Sequence, residues 1–258
     1  FEKSNSAVFN ALKTLNSEGN NSRVPYLILL DEANLSPIEH YWANFIRICD
    51  LDSYAKREIN MGGDVTWSIP ETLRFVTTVN FDHTTEELSP RFLDRTWLIM
   101  LDQSNIVEDI QIEETIDNND FIYDFETLLK LFAPTKSSED EYNSLDDDIK
   151  TKWNNIQDIF ISKKLPISPR SKKMVENFCL VATKYMEMDS AETRYAPLDY
   201  AVAQKILPTI NGFGEKYKQL MEALLDECKN GLPLCRKHIE RMKESEEENM
   251  GYYAFFTR

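Results

Sequence analysis

The chain is 258 residues long, 42% hydrophobic and 28% charged, enough for one large domain or two modest ones of ordinary soluble composition. Its formal net charge of −15 disfavours non-specific DNA or RNA binding, because neutralising phosphates needs Lys and Arg. Any nucleic-acid contact is therefore expected on a partner or on a part of the protein outside this chain. No stretch reaches the apolar length of a membrane span and no secretory signal pattern opens the chain, so the cytoplasm is the expected compartment.

The run AVFNALKTLNSEGNN reads as a helix already under way just after Phe1, closing between Ser17 and Asn21; such a start suggests a chain that begins mid-domain. Tyr26 to Leu30 are then apolar on both faces, the pattern of a central parallel strand covered by helices on both sides. The strand stops on Asp31 and Glu32, at the C-terminal edge where open α/β sheets bind ligands. Two adjacent acids there can divide the work of nucleotide hydrolysis, Asp31 holding Mg2+ beside the phosphates and Glu32 orienting and deprotonating water. The plain alternative is a strand that ends in solvent. Ser36 and Pro37 suit the N-cap and first turn of a helix running to about Cys49.

Residues from Glu58 to Pro70 alternate around Gly62-Gly63, a hairpin pattern expected to form a projecting surface excursion. Leu73 to Asn80 reads as a second strand ending on an amide. Beside the first strand, Asn80 would lie level with Glu32 and could hydrogen-bond the attacking water or the terminal phosphate; otherwise it simply starts a turn with Asp82. Ser89 caps a short helix reaching Arg95, with Arg91 and Arg95 on one face. One of these arginines can pair with Asp94 or Glu87, and the other can point into a neighbouring subunit. Thr96 to Leu101 reads as the last strand.

After Asp102 strand signals largely cease. Between Asp102 and Asp148 fifteen acids face only Lys130 and Lys136, a local charge of −13. A helix is expected around Phe121 to Phe132, followed by a polar loop. Further helices are expected over about 153–161, 171–188, 197–207, 215–229 and 234–248, with Met174, Phe178, Val181 and Tyr185 as one apolar stripe. The expected fold class is α/β followed by all-α: residues 1–102 an α/β core, 103–150 an acidic insertion, 151–258 a helical subdomain. Cys49, Cys179, Cys228 and Cys235 lack zinc or disulfide spacing and are expected to be reduced and mostly buried. His40, His83 and His238 are expected to be structural.

Taken together, DEANL after an apolar strand, TVN ending a second strand, LSPRFLDR, and ISPR heading a helical region resemble the AAA+ ATPases. The stretches LILLDEANLSPIEHYWANF, IPETLRFVTTVN and QKILPTINGFG most resemble the McrB-like branch, the motor subunits of modified-cytosine restriction systems. The resemblance implies a parallel-sheet AAA+ core, incomplete at its N-terminus, with a helical lid. It also implies NTP hydrolysis with Mg2+ in a homo-oligomeric ring, a hexamer by analogy, with a nuclease subunit as candidate partner. By position, Asp31 and Glu32 match the Walker B metal acid and catalytic base, and Asn80 matches sensor 1. Arg95, with Arg91 second, matches the arginine finger, and Arg170 matches sensor 2, which contacts the terminal phosphates.

Two departures shape the expectation. No GxxxxGK[ST] occurs among the seven glycines, and the family places this phosphate-cradling loop upstream of the opening helix. The chain is accordingly expected to be a fragment that binds nucleotide weakly or not at all by itself. The residues after Asn80 differ from those of the GTP-preferring McrB, which favours ATP over GTP here. Two competing functions stand beside the motor: a non-catalytic scaffold whose acidic segment recruits a partner protein, and a metal-dependent nuclease. The nuclease is the weaker of these, because no PD(D/E)xK-like set accompanies the acids.

Overall fold

The computed structural model describes residues 7–18, 26–49, 57–62, 64–70, 72–82, 84–101, 127, 142–190, 193–248 and 250–256. The chain divides into two units, Phe1–Asn80 with Ile99–Pro134, and Phe81–Leu98 with Thr135–Arg258.

In the first unit, α1 (Ala7–Glu18) buries Leu12 and Leu15, three residues apart on one face. Strands β1 (Tyr26–Leu30) and β4 (Leu73–Thr77) pair in parallel, in register from Tyr26 opposite Leu73 to Leu30 opposite Thr77. Helix α2 (Ile38–Ile48) stacks Trp42 on Phe45, with ring centroids 3.9 Å apart, and sets both rings edge-on to Phe75 of β4. This covers one face of the pair. On the other face Leu27 and Leu29 are 59% and 60% exposed and Val76 is also exposed, so among the described residues no helix covers that face of β1. Ser36 does not cap α2 either: the cap position is Pro37, with no side-chain bond.

The expected hairpin forms as β2 (Glu58–Asn60) antiparallel to β3 (Thr66–Ser68), turning through Gly62 at φ +103°. It does not project. Ile59, Trp67 and Ile69 are buried, Phe9 of α1 packs against Trp67, and Asn16 accepts from the Ser68 amide at 2.9 Å.

The second unit begins with α3 (Pro90–Leu93), capped by Ser89, whose hydroxyl accepts from the Phe92 amide. Four longer helices follow: α4 (Asp147–Ser162), α5 (Pro169–Ala182), α7 (Glu215–Cys228) and α8 (Pro233–Glu248). Between α5 and α7 lie α6 (Ala196–Ala201), a π turn (Val202–Ile206) and a 3-10 turn (Leu207–Thr209). Strand β5 (Asn211–Phe213) pairs antiparallel with β6 (Tyr252–Ala254), and the aromatic tail packs inward through buried Tyr253 and Phe255. The α5 core line runs through Ser171, Val175, Cys179 and Ala182 rather than the expected Met174, Phe178 and Val181, and Tyr185 lies beyond the helix, 80% exposed. Cys179, Cys228 and Cys235 are buried and Cys49 is exposed, all as free thiols.

Residues 96–101 form no strand. Leu98 instead donates its amide to the Gln204 carbonyl at 3.1 Å, and Trp97 stacks on Phe178 of α5. These contacts belong with the grouping of Phe81–Leu98 in the helical unit. Most of the acidic segment 103–150, including all but one residue of the helix expected at Phe121 to Phe132, lies outside the described residues, as does His83.

Candidate functional site

The C-terminal ends of β1 and β4 carry the two candidate acids and the candidate amide, brought together across 46 to 48 residues of sequence. Pairing continues past both strands: Thr78 donates its amide to Leu30 O at 3.0 Å, and Ala33 donates to Thr78 O at 2.9 Å. The Thr78 hydroxyl donates to Asp31 Oδ1 at 2.5 Å and accepts from the Glu32 amide at 2.8 Å. Asn80 Nδ2 donates to Glu32 Oε1 at 3.5 Å, a long bond and therefore a weak one. Asp31, Glu32 and Asn80 are all exposed, so the edge faces solvent rather than packed side chains.

Beneath this edge lies Asn34, 1% exposed. Its Nδ2 donates to Asn80 O at 2.7 Å while its Oδ1 accepts from the Asn80 amide at 3.2 Å. One buried amide side chain thus reads both backbone groups of the residue opposite, a built-in substitute for a further rung of sheet. From α2 the Tyr41 hydroxyl donates to Ala33 O at 2.5 Å. Thr78, Asn34 and Tyr41 were not singled out from the sequence. A short polar side chain within the turn DEAN was the available sign for Asn34, but its partner is 46 residues away.

Glu32 has φ +48°. A non-glycine residue in the left-handed region costs on the order of 1 kcal/mol or more, and such strain collects at functional sites. This residue lies in the turn over 31–34 that follows β1, and both carboxylates sit at the sheet edge.

An exposed carboxylate at a strand end suits a hard divalent cation that keeps most of its waters. Mg2+ characteristically takes one or two protein carboxylates and completes its shell with water and substrate phosphate. Asp31 fits that requirement. Among the described residues no group of three His, Cys, Asp or Glu forms a self-sufficient metal cage.

The arginines belong to the helical unit. Arg91 is exposed on α3. The helix ends at Leu93, so Arg95 sits in the turn after it rather than on a shared helical face; its guanidinium donates to Arg91 O at 3.0 Å. Asp94 pairs with neither. Its Oδ2 accepts from Arg170 Nη1 at 2.5 Å, and its Oδ1 accepts from the hydroxyls of Ser168 and Ser171. Partial burial pushes the Asp94 carboxyl up, but the bonds from Ser168, Arg170 and Ser171 and the Arg170 charge prevail and hold it below the usual carboxylate range. Arg170 is therefore engaged with Asp94 in this structure. A cavity of about 320 Å³ opens beside Asp94, Ser168 and Ser171, walled by Phe160, Leu165, Ile206 and Leu220. Asp31, Glu32 and Asn80 do not line it.

A family profile for a domain of unknown function (DUF8727) matches residues 122–252, just over half of the chain, and the chain belongs to that family. No curated protein and no solved structure matches it. The matched region contains Arg170, whereas Asp31, Glu32, Asn80, Arg91 and Arg95 precede it. Among the described residues no helix is long and apolar enough to cross a membrane.

Proposed function

We propose that the chain is part of a nucleoside triphosphatase, an oligomeric motor of the McrB-like AAA+ kind acting within a restriction or similar defence apparatus. The observation that carries this reading is the convergence of Asp31, Glu32 and Asn80 on one exposed end of a parallel strand pair, with Asn80 and Glu32 in hydrogen-bonding reach. In this reading Glu32 takes a proton from the attacking water, and Asn80 holds that water or the terminal phosphate in line. Thr78 fixes the Asp31 carboxylate through its hydroxyl, leaving Oδ2 for the cation shell. Bound Mg2+ supplies charge neutralisation at the phosphates.

Arg95, with Arg91 second, serves a neighbouring subunit's nucleotide, and Arg170 responds to the terminal phosphate after leaving Asp94. The nucleotide in this reading is ATP, with GTP the alternative.

Phosphate release by the natural full-length chain tests the proposal. Glu32→Gln is expected to lower turnover at least ~10²-fold, the usual worth of a positioned base, while nucleotide binding persists. Turnover that survives this substitution removes Glu32 as the base. A full-length chain that neither binds nor hydrolyses nucleotide leaves the scaffold as the better reading.

A further inference from the structure

We propose that Lys205 and Asp94 are positioning residues for Arg95, clamping the segment from Leu93 to Leu98 onto α5 and the π turn and thereby fixing where Arg95 projects. The inference rests on the reading of Arg95 as the arginine offered to a neighbouring subunit.

The clamp has contacts on both sides of Arg95. Lys205 is 1% exposed, and its Nζ donates to Leu93 O at 2.9 Å and Thr96 O at 2.7 Å, so one ammonium spans the turn that holds Arg95. Asp94 binds the head of α5 through Ser168, Arg170 and Ser171. Beyond Arg95, Trp97 Nε1 donates to Gln204 Oε1 at 2.5 Å, its ring stacks on Phe178 at 4.7 Å, and the Leu98 amide meets Gln204 O.

The π turn explains why Gln204 and Lys205 are available. Pro208 stands four residues after Gln204 and has no N–H to offer its carbonyl. Leu98 supplies a donor instead. The wide turn, a feature often found at functional sites, presents Gln204 and Lys205 to the same segment.

Stability alone gives little reason for a cation here, since replacing buried ionic groups by apolar packing is often neutral or stabilising. Burial pushes the Lys205 ammonium down to about 8; the Asp94 charge opposes this and the Arg170 and Arg95 charges add to it. Lys205, Asp94, Arg170 and Arg95 thus form one electrostatic group around the turn.

The test uses Lys205→Met and Asp94→Asn in the natural full-length chain, with nucleotide turnover, oligomer size and amide hydrogen exchange as readouts. Each variant is expected to lower kcat by ~10- to 100-fold, the scale on which lost outer-shell contacts act at metal ligands, with oligomer size unchanged; KM for nucleotide is expected to stay unchanged in Lys205→Met, which leaves the Asp94–Arg170 pair in place. In an Arg95→Ala background Lys205→Met is expected to cause no further loss, because the residue it positions is already gone. The Arg95, Thr96 and Leu98 amides are expected to lose protection in Lys205→Met while α7 keeps its own.

Unchanged protection of those three amides overturns the clamp whatever happens to turnover. Additive loss in the Arg95→Ala background, or a raised KM in Lys205→Met, overturns the link to Arg95. No turnover in the unsubstituted chain overturns the hydrolase reading and with it the role of Arg95, an outcome the exchange measurement distinguishes from failure of the clamp. Should Lys205→Met not fold, Asp94→Asn is carried through the exchange comparison and the Arg95→Ala background, with the same outcomes decisive.

Discussion

Single residues at both clusters do work that their neighbours in sequence do not reveal. The Thr78 hydroxyl donates to the Asp31 carboxylate and accepts from the Glu32 main-chain amide, so one side chain fixes both the Asp31 carboxylate and the backbone from which Glu32 projects. Asp94 plays the complementary part in the helical unit, gathering two hydroxyls and a guanidinium. Because its carboxyl lies below the ordinary range, its contribution is fully present above the unfolded-state value near 4 and is lost as pH falls through the lower folded value. Asp94→Asn is expected to cost about 2 kcal/mol at neutral pH, the scale of hydrogen bonds to a charged group. Urea midpoints measured from pH 7 to pH 2.5 check this: the wild-type and Asn proteins should converge at the acid end, and parallel curves would refute the assignment.

At the scale of elements, the helices of the second unit are joined by side chains that cap one helix from another. Asp199 of α6 is 3% exposed and accepts from the Leu234 and Cys235 amides of α8, each at 2.8 Å. These are first-turn amides that the helix itself cannot satisfy. Asp199→Ala strands both in a dry interior and is expected to destabilise the protein by about 2 kcal/mol, seen as a lower urea midpoint. Asp199→Asn, whose side-chain oxygen can still accept, should recover part of that loss. The positions of α4, α5, α7 and α8 were legible in the sequence because three-and-four apolar spacing acts within one or two turns. The buried face of α5 was not: Phe178 is the larger apolar side chain, yet it meets Trp97 at the side of the helix while small Ser171 and Cys179 face inward.

For the molecule as a whole, the proposed chemistry draws its base from one unit and its arginine from the other, delivered between subunits. A head-to-tail interface of this kind makes the site heterologous, with each subunit giving different residues to its two neighbours. Mixing Glu32→Gln with Arg95→Ala subunits is therefore expected to raise turnover well above the residual level of either variant alone, to about a quarter of the wild-type level for random equal mixing in a ring. Phosphate release from the mixture measures it, and a mixture as inactive as its components excludes a site shared between subunits.

The two parallel strands with the acids and amide at their ends, the hairpin and the four longer helices were all legible in the sequence alone. Each depends on periodicity, turn chemistry or capping within a few neighbouring residues. Tertiary structure alone decided that Asn34 reads the backbone of Asn80, that Phe81–Leu98 join the helical unit, and that a buried lysine spans the turn at Arg95. Those outcomes depend on partners 46 to 112 residues apart, and no local pattern specifies which distant group will complete a hydrogen bond once two elements have packed.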